Sequence, residues 1–200
     1  ITSRPAHYLP PTPSLKHYAS LLGGSSDVAT AIRRSTLNIF VECAAATIVT
    51  VVLATLAAYA FARMEFRFGK VLFYSVLFTM AFPPYTTLIP LYRIMTDLGL
   101  VNTYTGIVLV YVSGFLPLAT WILYNYMSSL PVAIEEASQV DGASRMQVLW
   151  HVVLPLSLPG VISTAIITFL FAWAYARHAR LRRIVAGGVT SEYASPGGDW

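Results

Sequence analysis

Four long apolar segments constrain this chain more than any other feature of its sequence. They cover residues 37–62, 71–91, 107–127 and 152–173, and the last of them contains no charged side chain. Because about 20 consecutive apolar residues cross the hydrocarbon core of a bilayer as a helix, each segment is long enough to span a membrane. The sequence therefore predicts an all-α, polytopic membrane protein, folded as a bundle of four transmembrane helices.

The composition agrees with this fold class. Hydrophobic residues make up 56% of the chain and charged residues only 11%, whereas soluble domains average about 25% charged residues. The net charge of +4 reflects Lys and Arg that flank the apolar segments, so no nucleic-acid partner is expected. Cys43 is the only cysteine, which excludes an intrachain disulfide and a cysteine metal cluster.

Polar and proline residues inside the apolar segments leave two interpretations open. Glu42 is the only charge in the first segment, and it either reaches the membrane interface or serves a substrate path or an interhelix contact. Pro83, Pro84 and Pro90 kink the second segment, either beside a cavity or through packing alone. The aromatic residues of segment 107–127 are interpreted as interfacial belts rather than as sugar-stacking sites.

A hydrophilic island, residues 129–151, separates the third and fourth apolar segments. Ser129 and Pro131 predict a helix start, because a hydroxyl caps free N–H groups and proline fits the first turn. Residues 132–140 then favour a short helix. One face of that helix is formed by Ala133, Ala137 and Val140.

The second half of the island predicts a turn and a new helix. Asp141-Gly142 ends the short helix, since glycine takes the left-handed conformation common at helix ends. Ser144 and Gln147 have the spacing of a capping box, which opens a helix leading into the last apolar segment. From its charges alone, the island could also be an ordinary solvated loop between two spans.

The spacing of the island resembles the EAA loop of ABC-importer permease subunits. That loop reads E-A-A, three residues, G, nine residues, I, one residue, L-P; here Glu136-Ala137-Ser138, Gly142, Val152 and Leu154-Pro155 occupy these positions. Ser138 replaces the second alanine, and Val152 replaces isoleucine. The resemblance covers roughly residues 5–173. Further stretches resemble the carbohydrate-type permeases, such as the maltose type: Pro90-Leu91-Tyr92, Leu98-Gly99-Leu100, Asn102-Thr103 and Gly106.

This resemblance implies a function and a set of partners. The chain would be a permease subunit of a bacterial ATP-driven importer, a multi-pass protein that moves a small solute, most simply a sugar, across the cytoplasmic (inner) membrane. Its partners would be ABC ATPase subunits, a second homologous permease subunit, an external solute-binding protein and the lipid bilayer. The partner subunits would hydrolyse ATP, and this chain would bind no cofactor or metal.

The resemblance also implies which residues transmit the movement of the ATPase. In the family the EAA loop is cytoplasmic, and its helix docks in a groove on the ATPase subunit, a common mode of helix recognition. The residues assigned to ATPase coupling on this basis are Glu135, Glu136, Ala137, Ser138, Asp141 and Gly142. The sequence does not identify the residues that bind the solute.

Enzymatic motifs are absent from the sequence, and two alternative functions remain. The chain has no GxxxxGK[ST], HExxH or GxSxG pattern, so a transport subunit without an ATPase or other catalytic site is expected. An ion-coupled secondary transporter and an intramembrane enzyme are the alternatives. Both need ionisable groups within the spans, where only Glu42 is available.

The sequence divides into three regions. Residues 1–35 are predicted to form an external loop with a short helix near residues 14–22, and residues 36–174 the transmembrane domain. Residues 175–200 are a basic polar tail, whose sequence departs from the family pattern after Trp173 and whose side of the membrane is not assigned. Because the carbohydrate-type family has six spans, truncation at both ends is expected.

Overall fold

Every element in the described part of the chain is a helix, which confirms the predicted all-α class. The computed structural model describes residues 27–64, 67–82, 84–101 and 103–193. Its α-helices are α1 (Asp27–Arg63), α2 (Gly69–Phe78), α3 (Pro84–Asp97), α4 (Tyr104–Ser128), α5 (Val132–Val140), α6 (Arg145–Val148) and α7 (Leu154–Tyr193). A 3₁₀ turn at Thr79–Ala81 follows α2, and a π-helical segment at Leu149–Val153 joins α6 to α7.

Three helical stretches of the described chain are long and apolar enough to cross a membrane. They are Arg33–Arg63, Tyr104–Ser128 and Arg145–Ala176, and Gly69–Ala81 is a shorter apolar helix. The three long stretches contain the predicted spans 37–62, 107–127 and 152–173. The fourth predicted span therefore needs a separate explanation.

The predicted span 71–91 is not one helix. Helix α2 and its 3₁₀ turn end at Phe82, whose backbone is extended with φ −75° and ψ 129°, and α3 begins at Pro84. A residue that precedes proline is pushed out of the helical region by a clash with the proline ring. The sequence feature interpreted as a kink thus ends one helix and begins another.

The long helices extend beyond the predicted spans at both ends of the described chain. Helix α1 begins at Asp27, so residues 27–35 of the predicted external region are helical, and α7 continues through Tyr193 into the predicted tail. Hydropathy marks only the part of a helix that crosses the bilayer, and a polar extension carries no such signal. The predicted helix near residues 14–22 lies outside the described residues.

A hydrophobic cluster joins α1, α4 and the segment that leads into α7. The chain divides between Phe40 and Val41 into two compact units, and the cluster belongs to the second unit, Val41–Trp200. Its buried members are Ala54, Ala58, Tyr59, Ala119, Leu123, Met127, Val148, Leu149 and Val153. Small residues at such contacts let helix backbones approach closely. The cluster lies at the end of the bundle from which residues 129–151 project.

Candidate functional site

The turn after α5 has the local structure predicted for the island. Helix α5 covers Val132–Val140, and Gly142 follows with φ +89°. The Ser144 Oγ accepts a hydrogen bond from the Gln147 backbone N–H, and Gln147 Oε1 accepts one from the Ser144 backbone N–H at 2.8 Å, so the capping box is confirmed. These features depend on neighbours within four residues, which is why the sequence alone predicted them.

The predicted start of α5 is wrong in one detail. Ser129 does not cap α5: its hydroxyl donates to the Tyr126 carbonyl at 2.7 Å, and Ser129 is the C-terminal cap of α4. Pro131 occupies the N-cap position of α5 without a side-chain hydrogen bond. The last carbonyls of a helix lack partners within it, so the end of α4 needs hydrogen-bond donors. The Ser129 hydroxyl is one of these donors, and it does not cap α5.

Most of α5 faces outward. Val132 and Ile134 are 47% and 43% exposed, and Val140 is 87% exposed. Among the nine residues of this helix, all of which the structure describes, only Glu135 is buried. The residues predicted to couple to the ATPase therefore divide: Glu136, Ala137, Asp141 and Gly142 are exposed, Ser138 is half-buried, and Glu135 faces inward.

The inward carboxylate of Glu135 binds an arginine from the end of α1. Arg63 Nε donates to Glu135 Oε1 at 2.6 Å, and the two side chains are only 9% and 5% exposed. Arg63 Nη2 also donates to the backbone carbonyls of Met127 at 2.8 Å and Leu130 at 3.0 Å. We call these four residues the Arg63 junction. The planar guanidinium suits several fixed acceptors at once, which a lysine ammonium does less well.

A second residue of α1 contacts the other half of the island. The Tyr59 hydroxyl donates a long hydrogen bond of 3.4 Å to the Arg145 carbonyl, and its ring is buried in the hydrophobic cluster. Tyr59 and Arg63 lie four residues apart, so they share one face of α1. The last turn of α1 thus contacts the chain both before and after the Gly142 turn.

Arg63 is not among the residues that the sequence predicts to couple to the ATPase, and the junction was not predicted. Arg63 and Glu135 are 72 positions apart, and no local pattern links residues at that separation. The available signal was topological. After segment 37–62, the chain is predicted to cross the membrane twice, through segments 71–91 and 107–127. The ends of segments 37–62 and 107–127 therefore lie on the same side of the membrane, where Arg63 and Glu135 can meet.

Glu42 lies far from this site. Along α1 it is separated from Arg63 by roughly 30 Å at the rise of an α-helix. It is 5% exposed, and its role at the membrane interface, in a substrate path or in an interhelix contact stays a prediction. Among the described residues, no group of three or more His, Cys, Asp and Glu could hold a metal ion.

A shallow open depression lies beside α5. Its volume is about 400 Å³, and it is lined by Ser138, Asp141, Gly142, Ala143, Gln147, His151 and Val152. We call the exposed apolar side chains of α5, Val132, Ile134 and Val140, together with this depression the α5 surface. Such a surface suits a protein partner, because exposed apolar residues rimmed by polar ones are typical of protein contacts.

The chain is similar to permease proteins of ABC transporters. A probable ABC transporter permease protein of Pyrococcus horikoshii is 36% identical over 84% of this chain and 60% of the relative. The trehalose/maltose transport system permease protein MalG of Thermococcus litoralis is 39% identical over 68% of this chain and 49% of the relative. The chain thus spans about half to three fifths of the length of these relatives.

A solved structure and a family profile agree with these relatives. The crystal structure of a bacterial ABC transporter involved in the import of the acidic polysaccharide alginate matches 68% of this chain and 50% of the matched chain, with a TM-score of 0.51 and 29% identity. The profile of the binding-protein-dependent transport system inner membrane component matches residues 50–179. This chain, a multi-pass membrane protein, therefore belongs to the family of binding-protein-dependent transport system inner membrane components.

Proposed function

We propose that this chain is a permease subunit of an ATP-driven importer, and that α5 docks on the ATPase subunit. The observation that carries the proposal is that Glu135 of α5 is buried against Arg63 while Val132, Ile134 and Val140 of the same helix are exposed. A short helix with apolar anchors can lie in a groove of a partner. ATP hydrolysis belongs to that partner, and this chain itself has no catalytic role.

The movement of α5 drives transport in this proposal. When the ATPase subunits close on ATP, they move α5, and the helix bundle rocks between outward and inward access. A second homologous permease subunit completes the translocation path, and an external solute-binding protein delivers the solute. The partners and the mechanism are inferred from the family, whose description includes a binding protein.

The proposed solute is a sugar. The relative from Thermococcus litoralis carries trehalose and maltose in its name, and the matched solved transporter imports a polysaccharide. Uptake of labelled maltose and trehalose into vesicles, compared with a labelled amino acid, tests this class. The family does not support the two alternatives, an ion-coupled transporter and an intramembrane enzyme, because it contains components of binding-protein-dependent systems.

Docking is tested by co-purification of the ATPase with the full, affinity-tagged chain. Val140→Asp places a charge on the most exposed apolar side chain of α5, so recovery of the ATPase should fall about tenfold or more. Leu98→Asp is the matched control, since Leu98 is 63% exposed and lies in the turn after α3, outside the α5 surface. Both variants should reach the membrane in equal amounts.

Equal ATPase recovery with Val140→Asp and Leu98→Asp would contradict docking through α5. Failure to recover any ATPase with the unsubstituted chain would contradict the proposed function as a whole.

A further inference from the structure

Helix α5 buries a single side chain against the rest of the chain. Helix α5 has nine residues, and only Glu135 among them is buried. A helix of this length is not stable alone in water, because isolated helices need about 12–15 residues even in favourable sequences. Its orientation must therefore come from contacts with the rest of the chain, and the shortest of these described contacts is the 2.6 Å ion pair with Arg63.

Arg63 connects three elements through one guanidinium. Its Nε holds Glu135 of α5, and its Nη2 holds the Met127 carbonyl of α4 and the Leu130 carbonyl of the link to α5. Arg63 itself is the last residue of α1. Because the final carbonyls of a helix lack partners within it, the guanidinium supplies donors where α4 ends.

We propose that Arg63 is a positioning residue that fixes α5 to the end of α1 and transmits movement of α5 into the transmembrane bundle. The inference rests on the function proposed above. A short helix cannot move while its buried carboxylate stays bound to Arg63 unless the end of α1 moves with it. On the same face of α1, Tyr59 makes a hydrogen bond of 3.4 Å to the Arg145 carbonyl of α6, on the other side of the Gly142 turn.

The first test measures the position of α5 without any partner. Spin labels are attached to Leu56→Cys in α1 and Val140→Cys in α5, both exposed, after the only cysteine is replaced by Cys43→Ala. The distance distribution is measured for the full chain in lipid nanodiscs. Arg63→Gln should widen the distribution at least about two-fold, because α5 loses its buried anchor.

Arg67→Gln is the matched control for this measurement. Arg67 is exposed, and its guanidinium lies 5.8 Å from the centroid of the Phe68 ring, so its loss should leave the distribution narrow. If Arg63→Gln does not fold, Glu135→Gln tests the same contact from α5 and should also widen the distribution. A distribution as narrow as that of Arg67→Gln in the folded variant would overturn the proposal.

The second test separates transmission of movement from fold stability. The chain carries a single spin label at Leu56→Cys and is purified in complex with its ATPase subunits. The spectrum of the label is recorded before and after the complex is trapped with magnesium ATP and vanadate. Arg67→Gln should keep the nucleotide-dependent change at Leu56. Arg63→Gln should lose most of it while the bound ATPase still hydrolyses ATP.

If the label at Leu56 shows the full nucleotide-dependent change in Arg63→Gln, the role of Arg63 is purely structural and the inference is wrong. If the unsubstituted chain recovers no ATPase, the proposed function fails, and the distance distribution without a partner still decides whether Arg63 positions α5.

Discussion

At the scale of single residues, Glu135 holds α5 against the rest of the chain, and the adjacent Glu136 does not. The two carboxylates are adjacent in sequence, yet Glu135 is buried against Arg63 while Glu136 is exposed. A buried ion pair is held by hydrogen bonds that satisfy its remaining donors, and the carbonyls of Met127 and Leu130 provide these. The resemblance assigned both glutamates to ATPase coupling, because no local sequence pattern distinguishes a carboxylate that faces the protein from one that faces solvent.

Glu135→Gln should therefore destabilise the chain far more than Glu136→Gln. Removing one charge of a buried pair leaves Arg63 uncompensated, at a cost of about 3 kcal/mol in the free energy of unfolding. Glu136→Gln changes an exposed side chain and should alter that free energy by about 0.5 kcal/mol or less. Reversible unfolding of the purified chain in mixed detergent micelles, followed by tryptophan fluorescence, measures both. Equal effects would mean that the ion pair contributes nothing to stability.

At the scale of helices, features set by neighbouring residues were predictable and features set by distant ones were not. The bounds of α5, the Gly142 turn and the Ser144 capping box follow from local chemistry, and the structure contains all three. The start of α1 at Asp27 and the break at Phe82 were missed. Hydropathy carries no signal for a polar helical extension, and apolar character continues through a break that proline imposes.

The contact between α4 and α7 gives a prediction at this scale. Gly160 of α7 is buried, and a Cβ placed on it would lie 2.6 Å from Cγ of the Tyr126 ring. Gly160→Ala should lower the free energy of unfolding by about 1–3 kcal/mol, because the atom in the way belongs to the rigid base of the ring. Gly114→Ala is the control, since a Cβ there meets no described atom within 4 Å.

Thermal unfolding in detergent distinguishes these alanine variants. Gly114→Ala should leave the chain unchanged or more stable by up to about 1 kcal/mol, because alanine favours a helix over glycine. Adding Tyr126→Leu to Gly160→Ala should recover part of the loss, as expected for residues in direct contact. No loss with Gly160→Ala would mean that α4 and α7 do not pack as closely as described.

At the scale of the whole molecule, one end of the bundle combines the hydrophobic cluster, the Arg63 junction and the α5 surface. The cluster joins α1, α4 and the entry to α7, and the junction ties α5 to the ends of α1 and α4. Through these contacts, a displacement of α5 can be transmitted to several spans at once. The resemblance to the family led to the prediction that α5 docks on the ATPase, whereas the attachment of α5 to α1 required the structure.

If α5 docks on the ATPase as proposed, site-specific crosslinking should capture the contact between them. Val140→Cys in the Cys43→Ala background is treated, in native membranes, with a short thiol-to-amine crosslinker. We expect a crosslinked product of this chain with a nucleotide-binding ATPase subunit, and no such product from Leu98→Cys, which is 63% exposed but outside the α5 surface. Absence of the product from Val140→Cys, or equal yields from the two positions, would mean that α5 does not dock on the ATPase.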